Sequence, residues 1–157
     1  MQFLQFAAAV VISYLGLLTG FFLASMTKEE LPTAKKYLPW LEKLVILATA
    51  AFVMNFLSFS IVAKAAVYAL LLLFLVYKYN TRFVYAAFGA AAFAVSKDSN
   101  MLLITASLVF LFGLLSGSNS FKINLRKKNI EKDAVRALAS NLFYPAVAII
   151  LFLGFAR

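Results

Sequence analysis

The polar residues inside this chain's long apolar stretches are few, and only they could do chemistry there. Asn55 and Ser58 are three positions apart and so share a helix face. Ser13, Tyr14, Thr105 and Ser107 lie at comparable depth in two other stretches. In hydrocarbon such groups either hydrogen-bond between helices or line a narrow polar route for a small or neutral solute. No catalytic set can be assembled from them. With no cysteine and no histidine, Cys/His and Ser/His/Asp nucleophile arrangements and His- or Cys-based metal sites are excluded. The six acids, Glu29, Glu30, Glu42, Asp98, Glu131 and Asp133, all read as loop or span-end residues, which leaves no carboxylate for proton coupling within a span. Glycine signatures for phosphate or dinucleotide binding are absent, and nothing points to haem or flavin. The expectation is a non-enzyme with no catalytic residue, no metal and no cofactor.

The elements that hold these residues are set by composition. Of 157 residues, 64% are hydrophobic and 13% charged, against about 25% charged in a soluble domain. The solvent is therefore a bilayer. A net charge of +9 would suggest nucleic acid for a soluble chain, but these cations flank apolar segments, where membrane topology accounts for them. The expected partner is lipid, not nucleic acid.

Six apolar segments are predicted as transmembrane helices: residues 3–26, 44–63, 65–77, 83–96, 101–117 and 142–156. The first exceeds a signal-peptide core and reads as a retained span. The second and third, broken only by Lys64, are together too long for one crossing of about 20 residues and must form a hairpin. The fourth, at about 1.5 Å per residue, falls short of a hydrocarbon core of about 30 Å. Lys78, Arg82 and Lys97 extend it by snorkelling, and Tyr77, Tyr79 and Tyr85 suit the interface. Short turns make helices two to five a serpentine of antiparallel neighbours. Pro32 and Pro39 limit helix in the first loop, Pro39 also suits the first turn of helix two, and Pro145 either begins the last span after a break or kinks it.

Charge placement supports the count. Loops 27–43, 78–82 and 118–141 hold twelve of the fifteen lysines and arginines, leaving Lys64, Lys97 and Arg157 on the other side. The positive-inside rule then makes those loops cytoplasmic and puts both termini outside. Deleting the fourth span scatters the charges almost evenly. The result is an all-α, polytopic six-helix bundle, multi-pass in the cell membrane, forming one transmembrane domain over residues 1–157.

Two further features concern contacts. In the fifth loop Lys122, Arg126, Lys127 and Lys128 precede an amphipathic stretch carrying Ile130, Ala134, Val135 and Leu138 at helical spacing. That pattern suits anionic lipid headgroups or a partner on the cytoplasmic side, or serves only as a topology signal. The pentad Gly16-Leu17-Leu18-Thr19-Gly20 recurs as Gly113-Leu114-Leu115-Ser116-Gly117, giving two small-xxx-small motifs for close helix packing. A second packing strip is predicted at Ala86, Ala90 and Ala94, making the fourth helix the most enclosed. Functionally, the polar set suggests a small-solute transporter or channel-like protein. The alternative is a non-catalytic membrane subunit or scaffold of a larger complex, as a homo-oligomer or with a membrane-protein partner.

Overall fold

The computed structural model describes residues 3–77, 80–121 and 127–155. Among them every regular element is helical: α1 (Phe3–Met26), α2 (Leu31–Ala34), α3 (Leu38–Phe56), α4 (Ile61–Tyr77), α5 (Thr81–Ala94), α6 (Ser99–Ser120), α7 (Lys127–Ser140) and α8 (Phe143–Phe155). Four helical segments are long and apolar enough to cross a membrane: α1, α3, α6, and Ala134–Phe155, which joins the end of α7 to α8. This is an all-helical membrane protein.

Local chemistry sets the boundaries. Pro39 sits in the first turn of α3, where its missing N–H costs nothing and its fixed φ suits the helix. Helix α3 therefore starts earlier than its apolar run. It also ends earlier, because Ser58 adopts a left-handed φ of 51°. The amide of Ser58 donates to the Asn55 carbonyl (3.2 Å) and that of Phe59 to the Met54 carbonyl (3.4 Å), the paired bonds of a Schellman stop. At α5, the Asn80 side chain accepts from the Arg82 amide. At α6, Asp98 accepts from the amides of Asn100 and Met101 at 2.9 and 3.2 Å, satisfying orphan donors of the first turn. Pro145 lies in the first turn of α8, just past the break at Asn141 and Leu142.

The bundle is built on α1 and α6, which make the most extensive helix contact. Gly16 meets Phe110 and Gly20 meets Leu114, so residue numbers rise together and the two helices run parallel. Helix α3 packs on α6, and α5 packs on α8. That second pair is also parallel: Gly89 lies against Tyr144 and Ala148, and Phe93 is 6.0 Å from Phe155. The ends of α1 and α6 and the starts of α3 and α5 gather at one basic end. There Lys35 Nζ donates to the Phe121 carbonyl at 2.7 Å, and Arg82 and Arg136 share a recess. In the chain α4 follows α3 and precedes α5, which begins at the basic end. None of the α4 residues 61–73 is buried.

The close contact at the centre has a steric cause. A Cβ built on Gly20 would overlap the Leu114 carbonyl oxygen and stand 2.6 Å from its carbonyl carbon. One on Gly16 would overlap the Phe110 carbonyl, and one on Gly117 that of Leu17. At Gly113 it would stand 2.8 Å from the Leu17 amide nitrogen. The two pentads thus lie against each other, and Ser118, one residue beyond the second, donates to the Gly20 carbonyl at 2.9 Å.

Helix α5 does not use the predicted alanine strip. Ala90 is exposed and Ala86 and Ala94 are only half-buried, whereas Val84, Tyr85, Phe88, Gly89 and Ala92 are buried. Gly89 decides the orientation: lacking a Cβ, it lets the α8 backbone approach closest on that face, which turns Ala90 outward.

Candidate functional site

An intramembrane polar cluster lies where α1, α5 and α8 meet. Tyr14, Tyr85 and Tyr144, one from each helix, form a triangle with every pair of ring centroids 6.3 Å apart. Tyr14 and Tyr85 meet edge-on, a favourable geometry for ring quadrupoles. Phe112 of α6 closes the triangle's side, 5.2 Å from Tyr85.

The hydroxyls tie helices together. Ser13 and Tyr144 share a hydrogen bond of 2.6 Å between α1 and α8, and Ser13 also donates to the Val10 carbonyl at 3.0 Å. Tyr14 donates to the Leu138 carbonyl near the end of α7 at 2.5 Å. Tyr85 and Thr105, both fully buried, keep hydroxyl oxygens without a hydrogen-bond partner. Ser116 lies close to the Tyr85 oxygen but outside hydrogen-bond geometry.

The remaining predicted polar residues are elsewhere. Asn55 is exposed in the last turn of α3 and accepts from Lys64 Nζ at 2.7 Å. Ser58 is the exposed left-handed residue that ends the helix. Neither occupies the bundle centre, because the Schellman stop brings α3 to its end there. Ser107 is exposed and bonds back to the Leu103 carbonyl of its own helix. It lines an apolar cleft of about 760 Å³ between α1 and α6, together with Gln5 and Ser13. Of the six residues, the structure brings Ser13 and Tyr14 into the cluster, leaves Asn55, Ser58 and Ser107 outside it, and buries Thr105 within α6 with no hydrogen-bond partner among the described residues.

Glu42 was missed. It reads from the sequence as a span-end acid, yet it is 2% exposed on the buried stripe of α3, with Val45, Ile46, Thr49 and Val53. Asn119 of α6 donates to its carboxylate at 3.2 Å. The available signal was Pro39: a helix beginning there puts Glu42 within it, one turn before Val45 and Ile46.

In the fifth loop, Lys122 and Arg126 lie outside the described residues, and Lys127 and Lys128 open α7. Ala134 and Leu138 of α7 pack against the core, whereas Val135 and Lys132 are exposed.

Chemically, the cluster can bond helices, and it keeps one orphan oxygen, that of Tyr85. The Ser13 hydroxyl meets only a phenol and a carbonyl, neither of which is a base for a nucleophile. Among the described residues no group of three metal-ligating side chains converges. Comparison with protein-family models, curated proteins and solved structures finds no significant match.

Proposed function

We propose that this protein is a non-catalytic membrane subunit or scaffold, a six-span bundle that acts through what binds its surfaces. The observation that carries this reading is the closed polar cluster. Ser13 and Tyr14, where a solute route would have to pass, are committed to bonds linking α1 with α8 and α7. The clefts of about 340 and 760 Å³ on the bundle are lined almost wholly by apolar side chains. Such surfaces suit acyl chains or a neighbouring helix.

Six crossings are favoured over four by the placement of Asn80 and Arg82 beside Ser120 and Arg136, since α4 must then traverse the bundle to deliver them. The basic end, with Lys28, Lys35, Lys43, Arg82 and Arg136, is the cytoplasmic one by the positive-inside rule. Both termini are then outside the cell membrane.

A small-solute transporter is the second reading, favoured by the orphan oxygens of Tyr85 and Thr105 and by buried Glu42. Buried polar groups in a bilayer commonly mark a pathway. The two readings separate by water access. The chain has no cysteine, so Thr105→Cys introduces a single thiol. On the subunit reading it stays unreactive to small hydrophilic thiol reagents from either side, and native mass spectrometry of gently purified protein shows a stoichiometric second chain or second copy. Rapid labelling of that thiol, with a monomer in the spectrometer, would instead establish the pathway.

A further inference from the structure

We propose that the basic end carries a binding site for a phosphate group, formed by Arg82 and Arg136. The site is a recess of about 380 Å³, within the size range of small-molecule pockets of about 300–1,000 Å³. Unlike the two apolar clefts, it is lined mainly by polar side chains from separate parts of the chain. Asn80 and Arg82 come from the start of α5, Ser120 from the end of α6, and Arg136, Ser140 and Asn141 from α7 and the break that follows it. Phe21 of α1 supplies an apolar wall.

The lining is built for an anion. It includes two guanidiniums and, among the described residues, no carboxylate. Guanidinium presents a planar fork of donors that fits tetrahedral oxyanions in pairs. Asn80 already uses its side-chain oxygen to cap the Arg82 amide at 3.1 Å, which leaves its NH₂ free to donate outward. Asn141 is 7% exposed and held by its bonds to the Ala137 carbonyl (2.8 Å) and Ser140 Oγ (3.3 Å), so one wall of the recess is fixed before any ligand arrives. The positive end of α5 adds to the field, while the carbonyl ends of α6 and α7 oppose it, so the two arginines must dominate. Topology alone requires cations at this end of the bundle. It does not require two of them to converge on one polar recess from positions more than fifty residues apart.

The shared ligand chemistry is a phosphate mono- or diester, and it has two sources: the headgroup of an anionic phospholipid, entering from the membrane, or a soluble phosphate, entering from water. The full-length protein in detergent is titrated with phosphatidylglycerol, phosphatidylcholine and inorganic phosphate in separate arms, read by native mass spectrometry for the lipids and calorimetry for the ion. Arg82→Gln/Arg136→Gln is compared with wild type and with Lys36→Gln, which removes an exposed cation at the same end. Selective, arginine-dependent binding of phosphatidylglycerol identifies a lipid headgroup site, and arginine-dependent binding of inorganic phosphate identifies a soluble ligand. Either result supports the proposal, with a loss of about tenfold per guanidinium, as for a charge-assisted hydrogen bond. Arg82→Lys/Arg136→Lys keeps the charge and guards against a folding defect; it should bind more weakly than wild type and better than the glutamine pair. No binding in either arm, or an equal loss on Lys36→Gln, would overturn the site.

Discussion

Adding one methyl group at Gly20 should destabilise the whole bundle, although alanine is the better helix former. The Cβ of Gly20→Ala would overlap the Leu114 carbonyl oxygen and stand 2.6 and 2.7 Å from its carbonyl carbon and Cα. Ordinary carbon contacts are about 3.5–4.0 Å, so α1 and α6 must part by about 1 Å, and a gap of that size forfeits up to about half of each dispersion contact along the crossing. Overpacking of this kind costs about 1–3 kcal/mol. Separation also stretches the Ser118 to Gly20 hydrogen bond from 2.9 Å, worth about 0.6 kcal/mol in membrane proteins. Against these stands a gain in helix propensity of at most about 1 kcal/mol. The net expectation is a loss of about 1–3 kcal/mol. Gly154 is the control, because a Cβ there meets nothing within 4 Å; Gly154→Ala should be neutral or slightly stabilising. Both are read from reversible unfolding in mixed micelles. A Gly20→Ala protein as stable as wild type would refute the reasoning, because the α1 and α6 backbones could not then be in contact.

Other expectations follow from single contacts. Ser13→Ala and Tyr144→Phe should each cost about 0.6 kcal/mol and at most about 1.7, and their double-mutant cycle should return a coupling of that size; additive losses would mean the two hydroxyls do not bond. Glu42→Leu leaves the Asn119 amide without its carboxylate acceptor and should lower stability by about 1–3 kcal/mol, whereas Glu42→Gln, which retains an acceptor oxygen, should lose less in the same unfolding assay. Asn55→Leu should change stability by no more than about 0.5 kcal/mol, as for an ordinary surface site, and a large loss would show that Asn55 is buried against a partner. Cysteines replacing Lys35 and Lys127 should be protected from an impermeant thiol reagent in intact cells while those replacing Lys64 and Lys97 react; labelling at position 127 from outside would reverse the orientation.

The class was legible in the sequence, because hydrocarbon admits only long apolar helices or closed barrels and this chain has helix-length apolar runs broken by charge. The absence of histidine and cysteine likewise settled by composition what chemistry was out of reach. Boundaries were partly legible: Pro39 marks a helix start by a local rule, but nothing local announces that Ser58 will take a left-handed φ and end α3. Which way each helix faces was not legible at all. In water a helix shows its inner face by polarity, but in lipid the outer face is apolar too, so residues such as Ala90 and Ala92 look alike in sequence although one is exposed and the other buried. Only the tertiary structure decided that the two glycine pentads meet each other and that three tyrosines converge. It also placed Glu42 inside the bundle and brought Arg82 and Arg136 to one recess. Those pairings join residues far apart in the chain, and they follow from which backbones can approach closest, a property of the assembled helices rather than of any one segment.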